Sequence, residues 1–400
     1  VDSVDDVLTR LRRYPDVEAV NLYAVDAADR LILDTAADAI AAAGSGEIAV
    51  IGDAYGALTL GVDAMRASQQ DATSQRTGGL SPTDLARPPR VRVHQDLLTG
   101  ELALAANARE LGRDGSYASH DLGPELLTGA KVVLLRMPRM LAGLAEIADA
   151  IARYASPDVV VFAGGRDKYL TPTMNDVLAQ SFSHVQAGRG RQKSRVIVAS
   201  SPLPVADSQF PVSERLAEID GDVVAYGAAF SGARLDIGTR FLLEHLDRMA
   251  PDAAEAIDLG CGTGILATAL AKSRPGIQVI GTDQSAAAVA SARATAEANG
   301  VGDRVRVVRD DAMSSAADSS ADLVLCNPPF HVGAAVHTGS AIKMFAQAGR
   351  VLRPGGELWT VYNSHLNYRG IVAQLVGPTD VIGRNKKFTV TRSVREPRSR

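Results

Sequence analysis

A doubly wound, mostly parallel α/β sheet, present twice in one chain, is the fold class the sequence predicts. Three observations predict it. Short apolar runs with strand character alternate with helix-patterned segments from Glu47 to Val394. A glycine-rich turn joins the first strand of the C-terminal copy to its first helix. The order strand, glycine turn, helix, strand, acid, helix, strand, proline turn recurs in the N-terminal half, with Gly52 answering Gly260, Asp96 answering Asp283 and Pro138 answering Pro328. The chain has 400 residues, more than one ordinary core holds, so two domains, 1–203 and 204–400, are expected.

In the C-terminal copy EAIDL (255–259) reads as a short buried strand, followed by GCGTG and a helix over ILATALAKSRP that stops at Pro275-Gly276. Ile277 to Thr282 is a second strand, closed by Asp283. A long helix runs from Ser285 to the C-cap pair Asn299-Gly300. RVRVV (304–308) and ADLVLCN (321–327) are the third and fourth strands. A helix around Gly339 to Val351 ends at the turn Arg353-Pro354-Gly355-Gly356, ELWTVYN (357–363) is the fifth strand, and KKFTVTRSV (386–394) closes in a hairpin.

The N-terminal copy opens with the strand EIAVIG (47–52), which turns into a helix through DAYGALTLGV. VRVHQD (91–96) is a strand ending in an acid, followed by an Ala-rich helix through Leu111. KVVLLRMPR (131–139) ends in a proline turn, then come a helix over 140–154 and the strand DVVVFAGG (158–165). Residues 200–235 connect the copies and hold a hairpin around Asp220-Gly221. The polar tail REPRSR is expected to fray.

Apolar residues make up 46% and charged residues 22% of the chain, which excludes a disordered protein. No uncharged apolar run reaches the roughly 18 residues of a membrane span, and VDSVDDVLTR contains no secretory apolar segment. Two cysteines, Cys261 and Cys326, exclude a disulfide framework and a cysteine zinc site. His94, His120 and His184 lack metal-ligand spacing, so no metal is expected. A reducing, cytoplasmic setting is the expectation. The net charge of −4 excludes a global basic field, and the charge is uneven: residues 1–240 hold 24 Lys+Arg against 31 Asp+Glu, residues 241–400 hold 18 against 15. Tandem copies can bury within one chain the surface that others bury by dimerising, which favours a monomer.

The chemistry gathers beyond the carboxyl ends of the C-terminal strands, where ligands sit in such sheets. Asp258-Leu259-Gly260-Cys261-Gly262-Thr263-Gly264 carries the pattern G-x-G-x-G behind an acid. Gly260, Gly262 and Gly264 let the backbone turn sharply and approach a ligand closely. A dinucleotide fold wants G-x-G-x-x-G and a pyrophosphate, which an acid in the loop repels. Asp258 instead suits an ammonium group, such as the methionine part of S-adenosylmethionine. Asp283 can accept both ribose hydroxyls of an adenosine, each charge-assisted bond being worth roughly 1.5–3 kcal/mol; a helix N-terminal acid is the plain alternative. Asp311, with Ala312 beside it, is placed to receive an adenine amino group. Asp310 is the alternative, and a solvated turn suits either acid.

Asn327-Pro328-Pro329-Phe330 points to the reaction. The exocyclic amine of a purine is a poor nucleophile because its lone pair is delocalised into the ring. Two acceptors, the Asn327 side-chain oxygen and the Pro328 carbonyl, can hold its hydrogens and favour the pyramidal form. The two prolines fix that carbonyl and remove competing donors. Phe330 offers a stacking face, worth roughly 1–3 kcal/mol. His331 is not assigned as a base, because the amine can lose its proton to solvent after transfer.

This combination resembles the S-adenosylmethionine-dependent N-methyltransferases of class I fold, and more narrowly the rRNA guanine-N2 methyltransferases with two tandem methyltransferase-like domains. AFSGARLDIGTRFLLEHL, IDLGCGTGILATAL, NPPFH and GRNKKFTV carry the resemblance in the second half, and VDAADRLIL (25–33), IGDAYGAL (51–58) and LLRMPR (134–139) in the first. Within the family the chain looks most like the large-subunit enzymes that methylate 23S rRNA, with the small-subunit 16S branch as the near alternative. The resemblance implies two tandem Rossmann-like class I domains. The C-terminal copy binds cofactor and catalyses, and the N-terminal copy is degenerate and helps hold RNA. It also implies that Phe230, Asp236, Gly238 and Thr239 belong to a segment over the cofactor, with Thr239 near the methionine end; a plain N-cap role suits Thr239 equally.

In the first copy Gly52-Asp53-Ala54-Tyr55-Gly56 stands for GCGTG, with Ala54 and Tyr55 expected to fill cofactor space. Arg136-Met137-Pro138-Arg139 stands for NPPF and places Arg136 and Arg139 at the crevice mouth, where phosphate is welcome. Arg189, Arg191, Lys193 and Arg195 of GRGRQKSR (188–195), and Arg384, Lys386 and Lys387, are further RNA-binding candidates; a solvated loop suits them equally. The expected activity is methyl transfer to the N2 amine of a guanine in rRNA, naked or within a ribosomal subunit. NPPF also occurs in adenine-N6 and protein-glutamine methyltransferases. A non-catalytic RNA-binding assembly factor is the rival from another class, and the intact motifs of the second copy argue against it.

Overall fold

A computed structural model of the chain describes residues 2–77, 91–204, 207–329 and 334–397. Its contacts divide it into two units, Val1–Gln209 and Phe210–Arg400. In the first, α1 (Val4–Arg10) and α2 (Ala27–Ala42) precede β1 (Ile48–Ile51). Then follow α3 (Ala57–Thr77), β2 (Val91–His94), α4 (Leu98–Glu110), β3 (Tyr117–Ser119), α5 (Pro124–Leu127) and β4 (Val132–Arg136). The unit closes with α6 (Leu141–Tyr154), β5 (Val160–Arg166), α7 (Pro172–Ala179), β6 (Phe182–Ala187) and β7 (Ser194–Pro202).

The second unit opens with the hairpin β8 (Val212–Leu216) and β9 (Gly221–Ala225), then α8 (Ile237–Leu243). The alternation continues through β10 (Glu255–Leu259), α9 (Ile265–Ser273), β11 (Gln278–Asp283), α10 (Ala286–Ala298), β12 (Val305–Arg309) and β13 (Ala321–Cys326). It ends with α11 (Ala334–Val351), β14 (Leu352–Asn363), α12 (Arg369–Leu375), β15 (Thr379–Arg384) and β16 (Phe388–Val394).

The two sheets have one topology. The first runs β3-β2-β1-β4-β5-β7-β6 and the second β12-β11-β10-β13-β14-β16-β15, each with seven strands. In each, five strands pair in parallel and the last two join antiparallel as a hairpin. The expected duplication is therefore present at the level of strand order. Helices cover both faces, which is why the central strands read as unbroken apolar runs. Along β13, Leu323 and Leu325 join the core that holds Leu270, Val279 and Trp359, while Val324 and Cys326 join the opposite core around Phe345 and Tyr362.

Several elements differ from the sequence reading. The amino-terminal helices α1 and α2 precede the first strand; both start with capping boxes, Ser3 with Asp6 and Asp26 with Asp29. The Arg353–Gly356 segment is not a terminating turn but part of β14, which shifts register opposite Ala321 and Leu323. The helix expected near Gly339 begins at Ala334. Residues 188–195 form the tip of the β6–β7 hairpin rather than a free loop. The hairpin at Asp220-Gly221 is present, with Asp220 in the left-handed region at φ 44°.

Candidate active site

The candidate site lies beyond the carboxyl ends of β10 to β13. Gly260, Gly262 and Gly264 all take positive φ, at 73°, 52° and 76°. The amides of Gly260 and Cys261 donate to the Thr282 carbonyl at 2.8 and 3.0 Å, tying the loop to β11. At Gly262 a Cβ would meet nothing within 4 Å, so this glycine presents bare backbone to open space. At Gly264 it would come 2.8 Å from the Ala292 Cβ on α10, so this glycine permits helix packing instead.

Asp258 lies beneath the loop, 1% exposed. Its Oδ2 accepts from the Ala267 amide at 3.0 Å, at the start of α9, and its Oδ1 has no partner among the described residues. Burial pushes its carboxyl up to about 7, and the nearby Asp283 adds to the shift. A buried acceptor without a donor, inside an acidic loop, fits a cationic ligand group. Asp283 is oriented by two backbone donors, Ser285 to Oδ1 at 2.9 Å and Gly262 to Oδ2 at 3.0 Å. These bonds fix the direction of the carboxylate. Burial also raises the Cys261 thiol, which suits it to packing rather than nucleophilic attack.

The two acids after β12 separate cleanly. Asp310 is engaged by its own turn, accepting from Ser314 Oγ at 2.6 Å, Ser315 N at 3.0 Å and Ser315 Oγ at 2.5 Å. Burial opposes its ionisation, and these bonds hold its carboxyl below the usual range all the same. Asp311 pairs with Lys343 of α11 and stays partly exposed. Ala312 follows in the left-handed region, at φ 51°.

At the end of β13 the Asn327 Nδ2 donates to Asp236 Oδ2 at 3.0 Å and to Thr239 Oγ1 at 2.9 Å. The same Asp236 oxygen accepts from the amides of Gly238 and Thr239 at 2.9 and 3.1 Å, capping α8. The N-cap is therefore Asp236 and not Thr239. A carboxylate only accepts, so the amide must turn its NH2 toward Asp236 and its Oδ1 away. That Oδ1 is buried and has no partner among the described residues. Gly238 makes the approach possible: a Cβ there would meet Asp236 Oδ2 at 3.0 Å and the Asn327 amide at 3.4 Å. Pro328 is buried and Pro329 exposed. Phe330 and His331 lie outside the described residues.

The lead-in to α8 is anchored on α10, where Val224 and Tyr226 amides donate to Thr295 Oγ1 and Ser291 Oγ at 3.0 and 2.9 Å. It leaves Phe230 and Ile237 about three-fifths exposed, at 60% and 59%. Sequence reasoning missed that this segment orients Asn327. The signal was there in LDIGT, an acid three residues ahead of a threonine at a helix start.

The first unit repeats this arrangement with different chemistry. Gly52 donates to the His94 carbonyl at 2.9 Å just as Gly260 donates to Thr282, which places Gln95, not Asp96, at the position of Asp283. Val50 stands where Asp258 stands. Tyr55, expected to fill cofactor space, donates its hydroxyl to Asp16 Oδ2 at 2.6 Å, and the Arg13 guanidinium lies 4.5 Å from its ring centre. Ala54, expected to help, is exposed.

Arg136 occupies the position of Asn327, and this corrects its assignment as a phosphate contact. Its Nη1 donates to Asp26 Oδ1 at 2.8 Å and Asp29 Oδ1 at 2.6 Å, and its Nη2 to Asp26 Oδ2 at 3.2 Å. Asp26 caps α2 as Asp236 caps α8, and Asp29 stands for Thr239. An ion triad has replaced the amide–hydroxyl set, and its charge is met from within. Arg191 likewise pairs with Asp34. Arg139 lies 4.4 Å over the Tyr169 ring, and Arg195 is 3.6 Å from Asp167. Arg189, Lys193, Arg384 and Lys386 are exposed, and Lys387 lies 5.2 Å over Phe388.

Among the described residues no group of three or more His, Cys, Asp or Glu is arranged to hold a metal ion, and no helix is long and apolar enough to cross a membrane. The family model of the methyltransferase small domain matches residues 220–392, and that of the RLMG N-terminal domain matches 3–79 and 76–203. A Streptomyces avermitilis protein named ribosomal RNA large subunit methyltransferase G is 33% identical over 403 residues, covering 96% of this chain and 97% of its own length. A Pseudomonas aeruginosa protein of the same name is 32% identical over 386 residues, covering 96% of each. Among solved structures, a T. thermophilus 16S rRNA N2 methyltransferase in complex with AdoMet and guanosine superposes with a TM-score of 0.67 at 20% identity, covering 93% of this chain and 92% of that one. At that identity the likeness bears on the fold.

Proposed function

The chain belongs to the ribosomal RNA large subunit methyltransferase G family, and on that premise we propose how its second unit performs the reaction. The enzyme is an S-adenosylmethionine-dependent methyltransferase of rRNA. Its target is the N2 amine of a guanine, and the names of its relatives favour 23S rRNA. The observation that carries the site assignment is the Asn327 Oδ1, a buried acceptor with no partner among the described residues, whose orientation is fixed from behind by Asp236 and Thr239.

S-adenosylmethionine supplies a methyl group on a cationic sulfur. In this reading Asp258 offers its free Oδ1 to the ammonium end, and the bare backbone at Gly262 admits close approach, with Gly260 and Gly264 shaping the turn. Asp283 receives the ribose hydroxyls, and Asp311 with Ala312 receives the adenine edge. A guanine extruded from the RNA stacks on Phe330. Asn327 Oδ1 and the Pro328 carbonyl accept the two N2 hydrogens and hold the nitrogen lone pair in line with the methyl group, while Pro329 stiffens the turn. The nitrogen gains the methyl as the bond to sulfur breaks, and the excess proton passes to solvent. Positioning supplies most of the rate. Thr239 acts through Asn327.

The test is methyl transfer from tritiated S-adenosylmethionine to 16S and 23S rRNA lacking the modification, each naked and as subunits, followed by nucleoside digestion. N2-methylguanosine in 23S rRNA is the expected product. Label in 16S rRNA would move the acceptor to the small subunit. No label in any RNA, with cofactor binding intact, would overturn the reading in favour of adenine or protein amide acceptors. Turnover of Asn327→Ala close to that of the wild type would overturn the site assignment alone.

A further inference from the structure

We propose that Lys343 is a positioning residue for cofactor recognition: its ion pair with Asp311 fixes the direction of that carboxylate, and with it the choice of adenine over hypoxanthine. The proposal rests on the assignment of Asp311 to the adenine edge and adds the residue that holds this acid in place.

The acids of the site are aimed in two ways. Backbone amides direct Asp258 and Asp283. The Asp311 side chain, 16% exposed, is met among the described residues by the ammonium of Lys343 on α11, itself 42% exposed. Ser314 and Ser315 of the same turn donate to Asp310, so the donors of the turn serve the neighbouring acid. Without Lys343 the Asp311 carboxylate would be free to rotate, and a ligand would have to order it on arrival. The ion pair removes that freedom beforehand, which lowers the entropy lost on binding. The chemistry to be read is simple. Adenine presents an N–H at its amino group, hypoxanthine presents a carbonyl oxygen, and a carboxylate only accepts. The acid discriminates between them only while it is held facing that edge.

Helix α11 holds the whole turn and not this acid alone. Ala312 and Met313 both stand in the left-handed region, at φ 51° and 62°, a shape that residues with a Cβ rarely adopt in succession. Arg350 of α11 secures it: its Nη2 donates to the Met313 carbonyl and its Nη1 to the Ala316 carbonyl, each at 2.6 Å. Gln347 Oε1 accepts from the Arg350 Nε at 2.6 Å and steadies the guanidinium. Lys343, Gln347 and Arg350 stand at i, i+4 and i+7, one stripe of the helix laid along the turn. The residue after Lys343, Met344, reaches the glycine loop, where its Cε would lie 3.1 Å from a Cβ at Gly260. Neighbouring residues of α11 thus back both the turn assigned to adenine and the loop assigned to the methionine end.

The experiment is calorimetric titration of the full chain with S-adenosylhomocysteine and with S-inosylhomocysteine, which carry the same charges and differ in the purine. The wild type should prefer the adenine compound by at least about tenfold, the lower end of one charge-assisted hydrogen bond. Lys343→Met should weaken S-adenosylhomocysteine by about tenfold and S-inosylhomocysteine by less than about twofold, so the preference collapses. A general loss of positive charge would weaken both alike. Lys343→Arg keeps a cationic donor and should recover most of the preference. In an Asp311→Asn background, Lys343→Met should change nothing further. Lys343→Met with the preference of the wild type, or with equal losses for both compounds and a native melting temperature, would overturn the proposal. Asp311→Asn separates the two readings. A preference lost in Asp311→Asn but kept in Lys343→Met removes Lys343 alone. A preference kept in Asp311→Asn removes the adenine assignment of Asp311, and the proposal with it.

Discussion

The side-chain amide of Asn327 donates at 3.0 Å to the carboxylate of Asp236, the residue that also caps helix α8. One carboxylate oxygen thus sets both the start of a helix and the direction of the group proposed to meet the substrate. Removing Asn327 removes the acceptor itself. By analogy with loss of an oxyanion-hole donor, Asn327→Ala should cost roughly 2.7–4 kcal/mol, on the order of 10²–10³ in kcat. Asp236→Ala keeps the acceptor but frees the amide to rotate, so kcat should fall by a smaller factor. Loss of the cap should cost the fold about 1 kcal/mol as well. Asp236→Asn retains one acceptor oxygen and should recover most of the stability. Single-turnover rates and thermal melts on the three variants check the order. Equal kcat for Asp236→Ala and wild type would show that the amide does not need this support.

Two glycines of one loop should fail in different ways. Gly264→Ala places a methyl 2.8 Å from Ala292 Cβ at a positive φ, so overpacking and backbone strain together should destabilise the fold by roughly 2–4 kcal/mol. Gly262→Ala has open space around its new methyl and only the backbone penalty, about 1–2 kcal/mol. Its methyl would stand where the proposed site admits the cofactor, so S-adenosylmethionine affinity should fall more than stability. Denaturant melts and calorimetric titration of each variant separate the outcomes.

How much of this was legible in the sequence depends on what kind of interaction was needed. The alternation of strands and helices along the second unit follows from apolar runs and their punctuation, and the β8–β9 hairpin lies where Asp220-Gly221 marks it. The acid–glycine loop and NPPF are local strings, so their place on the sheet was readable. What could not be read was pairing across distance. Nothing in Arg136 alone says that Asp26 and Asp29, more than a hundred residues earlier, take its charge, and an exposed phosphate contact was the natural expectation. Asp310 and Asp311 were indistinguishable until the turn showed Ser314 and Ser315 engaging one of them. The Asp96 equivalence was one residue out, because only the register of β1 on β2 identifies Gln95.

The ion triad of the first unit predicts one cofactor per chain. Titration of the full chain with S-adenosylmethionine should give a stoichiometry of one, with the second unit as the site. Arg136→Met leaves Asp26 and Asp29 without a counter-charge, and Asp29 is buried. Breaking a buried pair by removing one partner typically costs about 3–5 kcal/mol; the partial exposure of Asp26 and Arg136 places this one near the low end. Adding Asp29→Thr to Arg136→Asn rebuilds the amide–hydroxyl pair and should restore part of the loss. A stoichiometry of two in the wild type would show that Tyr55 and the triad do not close the first unit to cofactor.

Asp258 gives the enzyme a pH signature whose sign can be worked out. Its carboxyl moves from an ordinary 3.8 to about 7 in the fold, through burial first and the charge of Asp283 second. Between those values the folded chain binds more protons than the unfolded one, so stability falls as pH rises from about 4 to 7 and is flat on either side. The full difference is on the order of 4 kcal/mol. Asp258→Asn abolishes this titration, and its melting temperature should vary less across the window, although the new buried NH2 costs about 1–3 kcal/mol for want of an acceptor. A cation at Oδ1 reverses the effect of burial by favouring the charged form. S-adenosylmethionine binding at pH 6 should therefore release a proton, seen as binding heats that change with the ionisation enthalpy of the buffer. The release should vanish in Asp258→Asn. Buffer-independent heats in the wild type would show that the ammonium group is held elsewhere, and would leave Asp258 with the task of capping α9 through Ala267.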